Sequence, residues 1–334
     1  MTQISSAPKV GVGGTSQAAG GKLRGLLQRH GREIVLPLVV AFMILLFSLI
    51  SDVFFSVPNF RNIGVAAAAL ACVSFGQTFA IITAGLDLSV GATVALVSIL
   101  SAFAMRNYGI SAGVVAALLT GCAVGLANGL VIAKLKVFPF IATLATMSII
   151  SGLALRLSSG VPVTGVPNAF ADLAYEVILG IPVPVIIALC VLVVAALILR
   201  YTRVGRHIYA IGGNEEAARL SGIAIDRVKL TAYVLSGFCA AVGSIILTAR
   251  VASGQPSLGT SLPLESVSAV VLGGVSLFGG RGSVIGVAFG VLFVSILSNG
   301  LNLLNVSSYT QMMVIGAALI VAVALDQALT RRGK

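Results

Sequence analysis

The strongest constraint on this chain is how rarely a charge interrupts it. Of 334 residues, 21 are Lys or Arg and 10 are Asp or Glu. These fall in short clusters between long charge-free runs, at 34–51, 62–86, 88–105, 107–133, 137–155, 177–199, 230–249, 266–280 and 282–325. A bilayer-spanning helix needs about 20 apolar residues. Most of these runs are therefore the length of one span. The last is long enough for two, with a turn expected at Asn305-Val-Ser-Ser308. The reading is an all-α, polytopic membrane protein with about ten transmembrane helices. Composition agrees: 58% of the chain is hydrophobic and 9% is charged, against about 25% charged in a soluble domain. A water-soluble fold needs a polar skin that this chain lacks. The same numbers exclude intrinsic disorder.

The surplus of +11 is not the footprint of a nucleic-acid binder, because the basic residues sit between apolar runs. It reports orientation instead, since Lys and Arg collect on the cytoplasmic side. With the N-terminal tail inside and ten alternating spans, 17 basic residues fall inside and 4 outside, the latter being Arg61, Arg106, Arg156 and Arg250. Both termini are then cytoplasmic. Residues 1–33, polar and rich in Gly and Ser without a cleavable-signal pattern, read as a flexible basic cytoplasmic tail. Residues 34–330 form one membrane domain. If the short run 266–280 dipped in and out, the tail Arg331-Arg332-Gly333-Lys334 would land outside, so the bias favours a true but broken crossing.

No charge is expected in the middle of a span: Asp87, Glu265 and Asp326 all fall at ends or breaks of the runs. Intramembrane carboxylates mark ion coupling or proton relay, so their absence argues against a proton-driven carrier. Four scattered cysteines (Cys72, Cys122, Cys190, Cys239) lie in apolar stretches and read as small buried hydrophobes. His30 and His207 both lie in basic segments, without metal-ligand spacing. Neither a metal nor a cofactor is expected. The glycines of Gly274-Val-Ser-Leu-Phe-Gly279-Gly-Arg281 lack the Lys-Ser/Thr of a phosphate-binding loop. A nucleotide would have to be bound by another polypeptide, and the chain itself is not read as an enzyme.

Two stretches resemble each other. Leu126-Ala-Asn-Gly-Leu130 and Leu297-Ser-Asn-Gly-Leu301 each close an apolar run, and each follows a glycine-rich break, 85–91 and 273–283 respectively. The first is followed by Lys134 and Lys136, the second by Asn305 and Ser307, so the charges fit opposite orientations. We read an inverted internal repeat, with halves at about 62–156 and 229–327. Inverted repeats with glycine-interrupted spans are a common plan for alternating-access carriers. The expected helix breaks are Gly85, Asp87, Gly91, Gly279 and Gly280.

The longest inside loop, 200–229, carries a compact helix signal. Asn214 is a good N-cap, Glu215 and Glu216 suit the positive helix end, Ala217 and Ala218 favour helix, Arg219 completes the turn, and Gly222 suits C′. About two turns are too short to be stable in water alone. Docking into a groove on a soluble partner would hold them, as would packing on the chain's own loops.

Here the sequence resembles a known family. Glu216-Ala-Ala-Arg-Leu-Ser-Gly222 is similar to the Glu-Ala-Ala-x-x-x-Gly coupling-helix motif of permease subunits in ATP-binding-cassette (ABC) importers. The wider set resembles the bacterial ribose/monosaccharide permease family: 85–91, Asn128-Gly-Leu130, Phe138–Thr146, Tyr209–Asn214, Ala218–Ile223, 272–283 and Asn299-Gly-Leu301. The likeness covers roughly residues 60–327. It implies a cytoplasmic-membrane importer, assembled as a homodimer or with a close relative. It also implies a separate ATP-binding subunit below the membrane, a periplasmic or extracellular sugar-binding protein above it, and inward movement of a neutral monosaccharide or related polyol. Against that stand a secondary carrier and a passive facilitator for small polar solutes. Gln77, Asn128, Thr143, Thr146, Asn299, Asn302 and Gln311 are candidates for the solute pathway, and equally for interhelical hydrogen bonds. Phe75, Phe138 and Phe140 suit packing or a gate. Asp87 suits a helix cap.

Overall fold

A computed structural model describes residues 35–331. Its principal helices are α1 (Val35–Ile50), α2 (Val57–Ile82), α3 (Val90–Tyr108), α4 (Ile110–Ala133) and α5 (Pro139–Ser158), then α7 (Val183–Tyr201), α10 (Ile225–Val251), α11 (Leu262–Leu272), α12 (Val284–Leu303) and α13 (Ser308–Arg331). Short elements join them. A one-turn α6 (Asn168–Ala171), a 3₁₀ turn (Asp172–Ala174) and a two-residue hairpin, β1 (Val177–Ile178) with β2 (Ile181–Pro182), precede α7. Helices α8 (Arg203–Gly213) and α9 (Glu215–Leu220) link α7 to α10. Among the described residues, seven helices (α2, α3, α4, α5, α7, α10 and α12) are long and apolar enough to cross a membrane. Every charge-free run overlaps a helix, although 177–199 opens on the β1–β2 hairpin and enters α7 only at Val183.

Local chemistry places the helix starts. Proline occupies the first turn of α2 (Pro58), α5 (Pro139), α7 (Pro184) and α11 (Pro263), where its fixed φ fits and its missing N–H costs nothing. Ser56 caps α2 by accepting from the Asn59 N–H. Asn305, at φ 56°, makes the turn between α12 and α13.

Helices α2, α3 and α10 form the buried centre, while α4, α5 and α7 leave much of their surface outward. Helix α10 packs most extensively on α4. The glycines Gly121, Gly125 and Gly129, spaced four apart, face it. A Cβ at Gly121 would overlap the Gly237 carbonyl, and one at Gly125 the Tyr233 carbonyl. This close approach is the small-xxx-small packing of membrane helices. Hydroxyls zip α10 to α3 and to the turn before it: Ser236 Oγ donates to Asp87 Oδ2 (2.8 Å), Ser244 Oγ to the Val94 carbonyl (2.7 Å) and Thr248 Oγ1 to Ser98 Oγ (2.8 Å). The near-constant sequence offset of 149–150 means that the two helices run parallel.

Two features differ from the sequence reading. Helix α11 has 11 residues, about 16 Å of helix against a hydrocarbon core of about 30 Å. The segment begins at one end of the bundle, where Val163 and Gly254 exchange backbone hydrogen bonds (2.7 and 2.9 Å). It reaches the other end, where the Gly280 N–H donates to the Ile82 carbonyl (2.9 Å). It does so as a half-helix between irregular stretches, because Pro263 sets its start and Gly273-Gly274 its end. Such backbone is tolerated at membrane depth only where protein surrounds it. The N-terminal turns of α3 and α11 meet inside the bundle, with the Gly259 carbonyl 2.5 Å from where a Gly91 Cβ would lie. The second difference concerns Asp87, which lies within the bundle rather than at its edge, so the absence of an intramembrane carboxylate no longer argues against a proton-driven carrier.

Candidate functional site

The inner break begins where α2 ends. Thr83 is its C-cap, Ala84 takes φ 60°, and the chain turns back into the bundle. Asp87, 2% exposed, therefore returns to the depth of Gln77. The Gln77 amide, in the orientation that satisfies both its atoms, donates to the Asp87 carbonyl (3.1 Å) and accepts from the Asp87 N–H (3.3 Å). Asp87 Oδ1 accepts from the Ser89 N–H (3.1 Å) and Ser89 Oγ (2.6 Å), and Oδ2 accepts from Ser236. Asn128 Nδ2 donates to Ser89 Oγ (2.8 Å), and Thr143 Oγ1 to the Leu86 carbonyl (3.2 Å). Four helices are thus tied to one re-entrant turn. Asn128 Oδ1 and Ser74 Oγ are buried without a partner among the described residues.

Of the seven candidate pathway residues, Gln77, Asn128 and Thr143 converge here. Thr146 lies one turn further along α5, half-buried and outside the network. The other three sit elsewhere. Asn299 exchanges side-chain hydrogen bonds with Asn59 (3.0 and 2.9 Å) near the start of α2, and Gln311 Nε2 donates to Asn302 Oδ1 (2.8 Å). Phe75 is fully buried, whereas Phe138 and Phe140 face outward. Cys72 and Cys239 are buried, Cys122 is half-buried and Cys190 is exposed. Ser236 and Asn59 were missed from sequence because no local signal marks a polar side chain whose partner lies 149 or 240 residues away. The Gly121-x₃-Gly125-x₃-Gly129 spacing also went unread, although small residues four apart are a local signal of close helix packing.

The α8–α9 loop occupies the same end as the break. Thr202 caps α8, accepting from the Gly205 N–H (3.1 Å). Ile208 and Ile211 are buried, and Tyr209 Oη donates to the Gly282 carbonyl (2.8 Å). Partial burial pushes the Tyr209 phenol up. Asn214 Oδ1 caps α9, accepting from the Ala217 N–H (2.9 Å), and Gly222 takes φ 80°. Ala218 is buried, and Glu215 pairs with Lys229 (2.7 Å). Glu216, Ala217, Arg219 and Leu220 face solvent, Leu220 at 82% exposure. Beside them, Lys134 and Lys136 both reach Asp226 (3.3 and 2.6 Å), in the foot of α10 ahead of its charge-free run. Their ammonium groups hold the Asp226 carboxyl below the usual range, Lys136 most strongly.

A charge-poor bundle with a short exposed foot at its basic end matches one class of known proteins. The family described as branched-chain amino acid transport system / permease component matches residues 59–323. The chain belongs to that family. It is a multi-pass permease component of the cytoplasmic membrane. The ribose import permease of Bacillus subtilis is 43% identical over 309 residues, covering 91% of this chain and 94% of that protein. The ribose import permease of Haemophilus influenzae is 41% identical over 289 residues, 85% of this chain and 90% of that one. The D-allose transport system permease of Escherichia coli is 34% identical over 306 residues, 91% and 93% of the two chains. The resemblance drawn from the motifs is thereby shown, and the curated relatives are sugar permeases although the family takes its name from amino acids. No solved structure matches.

Proposed function

We propose that this permease carries a neutral monosaccharide or related polyol into the cytoplasm, powered by ATP hydrolysed on a separate subunit. Helix α9 is the coupling helix, both termini are cytoplasmic, and the chain crosses the membrane about ten times as an inverted repeat. It works with a second permease copy, an ABC ATP-binding subunit and a periplasmic or extracellular sugar-binding protein. The carrying observation is α9 itself. Six residues cannot hold a helix alone in water. Here an N-cap, a buried Ala218 and the Glu215–Lys229 pair hold it, while Glu216, Arg219 and Leu220 are presented outward. An exposed leucine flanked by two charges suits an apolar pocket with a polar rim. The monosaccharide cargo is supported by the relatives, named for ribose and D-allose. The pathway assignment of Gln77, Asn128, Thr143, Thr146, Asn299, Asn302 and Gln311 belongs to this proposal. Neutral donors and acceptors suit hydroxyls, though all but Thr146 are already engaged within the chain.

The test is uptake by cells carrying the complete transporter. Glu216→Lys and Leu220→Asp should each abolish uptake while leaving membrane insertion intact. Uptake by the parental protein should stop on ATP depletion and survive collapse of the proton gradient. Normal uptake by both variants would refute the coupling role. Uptake that follows the proton gradient would establish a secondary carrier instead.

A further inference from the structure

Three glycine-rich stretches far apart in sequence meet at one point: the break after α2, the end of α8, and the loop between α11 and α12. The Gly280 N–H donates to the Ile82 carbonyl (2.9 Å), joining the two breaks directly. Gly212, in the last turn of α8, fills the space between them. A Cβ there would overlap both the Ile82 carbonyl and the Gly280 N–H. A Cβ on Gly279 would lie 2.8 Å from the Ala84 nitrogen and 2.9 Å from the Gly212 carbonyl, and one on Gly280 would lie 3.1 Å from the Gly212 carbonyl carbon. Gly279 and Gly280 also take φ 83° and 72°, which side chains rarely adopt. Tyr209 fastens α8 to the same loop through the Gly282 carbonyl.

Backbone lies on backbone here, with no side chain between to change rotamer and absorb a displacement. Packed protein switches between arrangements rather than deforming smoothly. Gly212 is two residues before Asn214, the cap of α9. Any rigid shift of α9 therefore bears on the Ile82–Ala84 turn and the Gly279–Gly280 turn together. The first leads into the Asp87 network and α3, the second into α12. We propose that this glycine knot is the joint through which α9 drives both membrane breaks at once, with Gly212, Gly279 and Gly280 as its positioning residues. The proposal rests on the coupling role of α9.

The test uses the full complex, permease with its ATP-binding subunit and binding protein, in liposomes. Gly212→Ala and Gly280→Ala should assemble with the ATP-binding subunit and hydrolyse ATP, yet lose uptake at least tenfold. Gly152→Ala, on α5 outside the knot and with nothing within 4 Å of its added Cβ among the described residues, should transport normally. Uptake within twofold of the parental rate by an assembled Gly212→Ala or Gly280→Ala variant would overturn the joint. A second measurement leaves the glycines intact. Ala84→Cys and Phe278→Cys, both at exposed positions of the two turns, are placed one at a time in a chain whose native cysteines are replaced by alanine. Maleimide labelling should change at least threefold at both sites when ATP is added to the complex. An unchanged rate at either site would overturn simultaneous transmission. An inactive Leu220→Asp variant beside an active Gly212→Ala variant would sink the joint alone. An active Leu220→Asp variant would sink the coupling reading beneath it.

Discussion

Asp87 provides the sharpest test of how the bundle is held together. Its carboxylate takes three hydrogen bonds, two from Ser89 and one from Ser236 on α10. Asp87→Ala leaves the Ser89 N–H buried without an acceptor, a penalty of about 1–3 kcal/mol. It also removes the acceptor of two buried hydroxyls, at about 1 kcal/mol each. The loss is roughly 3–5 kcal/mol, a large fraction of a typical stability of about 5–15 kcal/mol. Asp87→Asn keeps one carbonyl oxygen for Ser89, and its amide can donate to Ser236, whose hydroxyl turns to accept. That change should cost about 1 kcal/mol or less. Thermal unfolding of the purified protein in detergent separates the two variants. At about 2 °C per kcal/mol for a chain of this size, the alanine variant should melt roughly 6–10 °C below the parent, with the asparagine variant close to it. If the alanine and asparagine variants melt together, within a degree of the parent, Asp87 does not hold the break.

Two further outcomes follow from other parts of the bundle. Gly125→Leu drives a side chain into the Tyr233 backbone where α4 crosses α10, so the protein should fail to accumulate in the membrane, whereas Gly152→Ala, with open space around it, should accumulate normally; immunoblots of membrane fractions decide. Asp226 is held ionised by Lys136 and Lys134, and a depressed carboxyl contributes stability that is present above its ordinary value of about 3.9 and lost as pH falls through the lower folded value. Melting temperatures of Asp226→Asn and the parent should therefore differ by a constant amount between pH 7 and 5 and converge below about pH 4; convergence already at pH 6 would refute the pairing.

The membrane class was legible because burying an unpaired charge costs so much that sequence must avoid it. Each charge-free run accordingly contains helix. The foot at Asn214–Gly222 was legible for a different reason: caps act over three or four residues, so Asn214, the acidic first turn and Gly222 can be read without knowing the fold. The polar pairs were not. Asn59 meets Asn299 across 240 residues and Ser236 meets Asp87 across 149, and neither side chain carries a local sign of its partner. The half-helix α11 was partly legible, since Pro263 and Gly273-Gly274 bracket it, but a count of uncharged residues has no sense of where a helix starts or stops.

Asp87 shows why that count misleads at the functional centre. Treated as a charge, it ends one run and begins the next, which places it at a membrane surface. That inference holds only when the chain leaves the bilayer between two runs. Here Ala84 adopts a left-handed conformation and Gly85 fits against the Tyr233 hydroxyl, where a Cβ would overlap. The backbone therefore turns inward before Asp87 is reached. The Ser89 and Ser236 hydroxyls and the Ser89 N–H then bond its carboxyl, while the Gln77 amide bonds the Asp87 backbone. An acidic residue between glycines at a run boundary is thus ambiguous in depth. Its neighbours in space, Gln77, Asn128 and Ser236, are what reveal that this one is inside.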